Sequence, residues 1–137
     1  MAGTRTLTII KPDAFGTRRA GKILAHLEAQ GFVLKAARVM HLTKDQAGAF
    51  YEVHKERGFF GELVEFMTSG PCMPMVLEKP DAVAALRVAI GSTDPAEAAE
   101  GTVRKLFAES KGRNAIHASD SDENAIVEST FFFPGLA

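Results

Sequence analysis

Residues 114–120, NAIHASD, set His117 at the end of a strand-like run, just before Ser119, Asp120 and Ser121 crowd the start of a helix. Imidazole is largely neutral near pH 7 and keeps a lone pair, so a ring oriented by a second group can act as nucleophile as well as base. Glu128, on the helix that follows, could be that second group. A histidine beside a helix amino terminus is also well placed to meet a phosphate. Taken alone, such a histidine is more often a capping or packing residue.

Three cations belong to the same question. Lys11 lies just past a strand, Arg87 on a helix flank beside a core-facing Leu86, and Arg104 beyond the Gly101-Thr102 break. Singly, each reads as a solvated surface charge. An arginine at the buried edge of a helix can nevertheless pack its stem and extend its head into a cleft. Tyr51, the pair Phe59-Phe60 and the run Phe131-Phe132-Phe133 read first as core. His26 and His41 receive no role. Residues 16–23, GTRRAGKI, match a P-loop except at the last position. That position needs a hydroxyl to ligate Mg²⁺, and Ile23 offers hydrocarbon; the match is a basic helix start arising by chance.

The elements that must position these side chains follow from pattern. Residues 4–11 are β-branched and stopped by Pro12, a strand. Ile23, Leu24 and Leu27 stripe a helix over 20–30 that ends at Gly31. Residues 32–42 read as a long second strand, apolar on both faces. Thr43 with Gln46 has capping-box form and opens a helix to about His54, and a further helix covers 59–67. Residues 73–79 read as a third strand, with Pro74 marking an edge or a bulge. Pro80-Asp81 starts a helix with Val83, Leu86 and Ile90 on one face, and Asp94, Pro95 and Glu97 predict a short helix between Gly91 and Gly101. A brief strand at 114–118 and a helix at 121–133 complete the order β, α, β, α, α, β, α, loop, β, α. That order fits an α+β, ferredoxin-like split βαβ core with an antiparallel sheet and helical insertions.

Composition bounds the remaining choices. The 137 residues make one domain's worth of chain, read as a single unit over 1–137. Hydrophobic residues at 46% exclude a disordered chain, and Cys72 alone allows neither an intrachain disulfide nor a cysteine zinc site. A formal net charge of -1 provides no global field for nucleic acid or an anionic membrane, so any anion binding must be local. Arg5 and Lys11 interrupt the amino terminus too early for a secretory apolar region, and no apolar run approaches the ~20 residues that span a bilayer. The expectation is a cytoplasmic protein in a reducing compartment.

Together, four segments resemble the nucleoside diphosphate kinase family over nearly the whole chain. They are TLTIIKPDA around Lys11, FYEVHKERGFFGELVEFMTSGP at 50–71, TDPAEAAEGTVRKLFA at 93–108 and NAIHASDSDENA at 114–125. The resemblance implies transfer of the γ-phosphoryl group of a nucleoside triphosphate, commonly ATP, to a nucleoside diphosphate, with Mg²⁺ carried on the phosphates. It makes His117 a transiently phosphorylated nucleophile in a ping-pong cycle, oriented by Glu128, which Ser119 holds. It assigns Tyr51, Arg87, Thr93 and Arg104 to the phosphates, Lys11 and Asn114 to the sugar hydroxyls, and Phe59 to stacking on the base. It also implies a homo-oligomer, tetramer or hexamer, built from dimers.

These roles suit the residues' chemistry, because phosphoryl transfer needs in-line positioning and neutralisation of charge on oxygens. Stacking reads no hydrogen-bonding edge, so broad base tolerance is expected. The sequence departs from the family in places. Gly58 replaces a usual proline and predicts a looser loop ahead of Phe59. Ala118 replaces a usual glycine; were φ positive there, its methyl would cost on the order of 1 kcal/mol. Residues 72–75 are less β-branched than usual, and Lys79-Pro80-Asp81 alters the next turn. Two other readings are a nucleotide-sensing module without turnover and a phosphohistidine relay to protein side chains. The intact set of His117, Arg87, Arg104 and Lys11 argues against the first, and no docking patch supports the second.

Overall fold

The computed structural model describes residues 3–135. Met1, Ala2, Leu136 and Ala137, the ends of the expected 1–137 unit, lie outside the described residues. Four strands, β1 (Arg5–Ile10), β2 (Val33–Ala37), β3 (Met73–Glu78) and β4 (Ile116–Ala118), form a sheet in the order β2-β3-β1-β4, every neighbouring pair antiparallel. The helices are α1 (Pro12–Gly16), α2 (Ala20–Ala29), α3 (Lys44–Phe50), α4 (Phe60–Met67), α5 (Ala82–Ile90), α6 (Val103–Phe107) and α7 (Asp122–Phe132), with a 3-10 turn at Glu52–His54. This is the expected α+β, ferredoxin-like arrangement.

Side chains on a strand alternate between faces, so the sheet sorts its apolar residues into two layers. On one face Ile10, Met75, Leu77 and Ile116 pack against Ile23 and Leu27 of α2 and Leu86 and Ile90 of α5, the two crossover helices. On the other, Leu7, Ile9 and Val76 meet Ala47 of α3, Met67 of α4 and Phe132 of α7. Each fully buried Leu or Ile contributes about 1.5–3 kcal/mol. The alternation that turns Ile116 and Ala118 toward α2 and α5 turns His117 the other way, toward α3 and α7.

Local signals worked where they were local. Thr43 accepts from the Gln46 N–H at 3.1 Å while Gln46 returns its carbonyl to the Thr43 N–H at 2.9 Å, the capping box expected for α3. The helix does not run on to His54 but breaks at Tyr51 into the 3-10 turn. Three expectations fail more instructively. Pro74 lies neither at an edge nor in a bulge: β3 is an interior strand, and Pro74 pairs with Ile9. Its carbonyl accepts from Arg38 at 3.1 Å, so a proline N–H would have pointed the same way, where the β2 ladder has already ended at Ala37. The irregularity falls in β2 instead, between Leu34 and Ala36. The second strand is shorter than expected, continued past Ala37 by the Arg38–Pro74 bond and a bridge from Met40 to Cys72, and its outward residues are exposed.

No helix forms between Gly91 and Gly101. Asp94 takes the Ala96 N–H on its carboxylate at 3.0 Å, and single turns follow. Gly91, at φ 87°, packs so closely that a Cβ would stand 2.6 Å from the Thr102 hydroxyl, folding the segment back on itself. The helix begins later, as α6, with Thr102 accepting from the Lys105 N–H. Asp81 turns left-handed, φ 54°, at the altered turn before α5, a conformation that aspartate tolerates better than most residues.

Candidate active site

β4 carries the site because a local turn leads into it and two distant residues, Thr8 and Asp13, fasten it. Ala115 has φ 74°, and the Ile116 N–H donates to Asn114 O at 2.9 Å across it, a γ-turn that bends the chain into the strand. The buried Asp13 carboxylate accepts the Ala115 N–H at 2.9 Å, and the Thr8 hydroxyl donates to His117 O at 2.5 Å. Ala118 lies within the strand and has no positive φ, so its methyl is not strained. The left-handed residue is Ala115.

His117 and Glu128 meet at 2.8 Å between Nε2 and Oε1. A carboxylate only accepts, so Nε2 carries the proton and Nδ1 of the neutral ring keeps its lone pair. Ser119 donates to the same Glu128 oxygen at 2.7 Å, which leaves the carboxylate little freedom to turn away. Both the His117 and Glu128 side chains are 19% exposed, reachable yet largely withdrawn from water. Phe50 stands edge-on to the imidazole at 5.4 Å, and Tyr51 does so at 6.1 Å. The Tyr51 hydroxyl is buried without a hydrogen-bond partner among the described residues, and burial, with the Glu128 carboxylate next, pushes its pKa up, so it is a neutral donor.

The cations gather on the carbonyls around His117. Arg104 is buried and donates to Ile116 O at 2.8 Å, Gly91 O at 3.0 Å and Asn114 O at 3.4 Å. Those bonds use three of five guanidinium N–H groups and leave two for a ligand. Arg87 reaches Ala118 O at 3.5 Å. Lys11 donates to Asn114 Oδ1 at 3.0 Å. Burial and then the Arg104 charge lower Lys11 to about 8, against a smaller opposing pull from Asp13. Burial and the Arg87 charge lower Arg104 to about 10.

A cleft of about 690 Å³ opens beside this cluster, lined by Lys11, Asn114, Thr93 and Phe59 together with Leu63, Phe66 and the 111–113 loop. The structure therefore brings Lys11, Asn114, Thr93 and Phe59 onto one cavity, and His117, Glu128, Ser119 and Tyr51 into one contact group, joined through β4 and Arg104. Asp13, Thr8 and Phe50 escape the sequence reading. An acid directly after Pro12 in an otherwise apolar stretch was the only available signal for Asp13. Among the described residues no group of three or more His, Cys, Asp or Glu could hold a metal ion. Nor is any helix among them long and apolar enough to cross a membrane.

Comparison with known proteins agrees with this geometry. The family model described as nucleoside diphosphate kinase matches residues 4–136. A nucleoside diphosphate kinase of Chlorobaculum parvum is 61% identical over 129 residues, covering 94% of this chain and 92% of the relative. That of Chlorobium chlorochromatii is 60% identical with the same coverage. Among solved structures, the Aquifex aeolicus nucleoside diphosphate kinase superposes with a TM-score of 0.94 at 50% identity, over 97% of this chain and 96% of that one. The apo enzyme of Encephalitozoon cuniculi gives 0.91 at 36% identity, over 96% and 89%. With this sheet, an imidazole oriented by a carboxylate beside a group of buried cations, and these relatives, the chain belongs to the nucleoside diphosphate kinase family.

Proposed function

We propose that this chain, as one catalytic domain, moves the γ-phosphoryl group of a nucleoside triphosphate, commonly ATP, to a nucleoside diphosphate through a phosphohistidine at His117. The observation that carries the proposal is the Ser119, Glu128, His117 hydrogen-bond chain, which leaves a lone pair on Nδ1 while Arg104 and Arg87 hold the carbonyls on either side of that residue. Nδ1 attacks the γ-phosphorus as the bond to the β,γ-bridging oxygen breaks, and the diphosphate departs. Positive charge developing on the ring is stabilised by Glu128. A second diphosphate then attacks the phosphohistidine and restores the free imidazole, which is ping-pong behaviour.

The remaining roles are those that the family resemblance implies, and the placement of these residues supports them. Arg104 with its two spare N–H groups, Arg87, Thr93 and the Tyr51 hydroxyl neutralise or bond the phosphate oxygens. Lys11 and Asn114, already bonded to each other, take the sugar hydroxyls. Phe59 stacks on the base and reads no edge, so many bases serve. Mg²⁺ enters as part of the nucleotide substrate and screens its phosphates. Edge strand β2, with Val33 exposed on it and Val39 exposed just beyond it, supports assembly from dimers into a tetramer or hexamer. The lone, buried Cys72 supports a reducing, cytoplasmic setting.

The test is brief incubation with γ-labelled ATP and Mg²⁺. Label on the protein that survives base, is lost in acid and leaves when excess diphosphate is added supports the proposal. Turnover without any protein-bound label would refute it.

A further inference from the structure

α6, which carries Arg104, has only five residues, and a helix far shorter than about 12–15 residues is not held by its own propensity. Its place is set from outside, by α2. At the end of α6 the Arg19 guanidinium donates to the Phe107 carbonyl at 2.9 Å. Ahead of its first turn the Gly101 carbonyl lies 2.7 Å from Nε2 of His26. A carbonyl only accepts, so Nε2 carries the proton and donates. A nitrogen that donates to Gly101 cannot also accept from the Gln30 amide, which stands 2.8 Å away at the exposed end of α2, so Gln30 is left to water. The His26 ring also meets that of Phe107 edge-on, with centroids 6.2 Å apart and planes at 77°. Arg19 stands at the start of α2 and His26 in its last turn; seven residues make about two turns, which puts both on one side of the helix. One side of α2 thus grips α6 at both ends.

The grip falls where the backbone needs it. Gly101 has φ 82° and no side chain to pack, and a Cβ built there would meet nothing within 4 Å, so its carbonyl is the handle by which it is held. The same residue ends the segment that brings Thr93 to the cleft, whose other end is held through Gly91 O by Arg104. Phosphoryl transfer tolerates little displacement of such groups, since a misplacement of about 1 Å can cost on the order of 10²-fold. We propose that Arg19 and His26 are positioning residues, a two-point splint on α2 that fixes α6 and aims the spare N–H groups of Arg104 at the phosphates. The inference rests on the nucleotide reading of the cleft. Neither residue lines that cleft, and both act through α6 alone. The basic helix start at 16–23 thereby gains a use, although not that of a P-loop.

The experiment compares Arg19→Met, His26→Met and the double variant with the parent, all as the full-length enzyme. Methionine keeps apolar bulk at each position and removes the donor. Amide hydrogen exchange, measured without any ligand, should quicken over residues 102–107 in each single variant and most in the double. Affinity for ADP and for inorganic tripolyphosphate, read by calorimetry, should fall together by roughly three- to tenfold per lost bond, the net worth of one hydrogen bond. The inhibition constant of adenosine, which has no phosphate for Arg104 to meet, should not change. His26→Gln, which restores a donor, should recover most of what His26→Met loses. Unchanged exchange over 102–107 in the double variant, unchanged tripolyphosphate affinity, equal losses for adenosine and ADP, or no recovery in His26→Gln would each overturn the inference. A parent that binds neither ADP nor tripolyphosphate would instead defeat the nucleotide reading. The exchange measurement stands apart from that reading, so the two failures are separable.

Discussion

Around His117 the chain is fastened by directional hydrogen bonds: Thr8 to the His117 carbonyl, Asp13 to Ala115, Arg104 to Ile116, and Glu128, itself held by Ser119, to the ring. Around Phe59 the ring is held by contact with His54, on a loop that includes Gly58. Directional bonds fix an atom in position and orientation, as an in-line attack requires. Packing fixes a surface and leaves what rests on it free to vary, as broad base use requires. On the proposed reading, strictness at the chemical end and tolerance at the base end are therefore built from different forces.

The contrast breaks most visibly if the strict end is removed. His117→Ala is expected to abolish labelling and to cost on the order of 10⁶-fold in kcat, as deletions of covalent nucleophiles do; a radiometric assay reads both. Next, Glu128→Gln loosens the ring without removing it, and about 10²-fold in kcat should go with little change in KM. Ser119→Ala, which strips one charge-assisted bond from Glu128, should cost about tenfold in the same assay. Phe59→Ala works at the tolerant end: binding of every nucleotide should weaken alike by about 1–3 kcal/mol, read by calorimetry with several bases. A loss confined to one base would contradict the stacking role.

Lys11 sharpens the comparison through pH. Its folded value of about 8 lies below the ordinary 10.5, first because of burial and then because of Arg104. Between those values the unfolded chain binds a proton that the folded chain lacks, so stability rises with pH across that window. The destabilisation is fully present below about pH 8 and is relieved as pH climbs toward 10.5. Nucleotide affinity should move oppositely, falling above about pH 8 as the ammonium is lost. Lys11→Met should flatten both profiles, measured by urea unfolding and by KM. The smallest expected effects distinguish two alanines one residue either side of the Ile116-His117 pair. Ala115→Gly should relieve a left-handed residue and gain up to about 1 kcal/mol, while Ala118→Gly in the strand should lose about 0.5–1 kcal/mol. Denaturant midpoints check both.

What was legible in the sequence follows the same division between local and remote. The Thr43–Gln46 box closes within one turn of chain and reads directly. The element order, and with it the sheet, follows from periodicity over whole segments. Pro74 misled because the cost of its missing N–H depends on where β2 stops, some forty residues upstream, which no local pattern records. Asp94, Pro95 and Glu97 are sound helix-start residues, but crowding of Gly91 against Thr102 folds that stretch into turns. α1 and α6, five residues each, are too short to show a period. In the site, residue chemistry singled out His117, Glu128 and the cations as candidates, and the family resemblance supplied their roles. It could not supply Asp13 or Thr8, whose partners lie over a hundred residues away, nor the aromatic contact of Phe50.

The central claim is that Glu128 holds Nε2 and leaves Nδ1 to take the phosphoryl group. Phosphorylated enzyme, prepared with ATP and Mg²⁺ after ¹⁵N labelling of histidine, distinguishes the two nitrogens by phosphorus–nitrogen coupling in NMR spectra. A single phosphohistidine at His117, bonded through Nδ1, is the result expected from the geometry. Phosphate on Nε2, or on a different histidine, would contradict it.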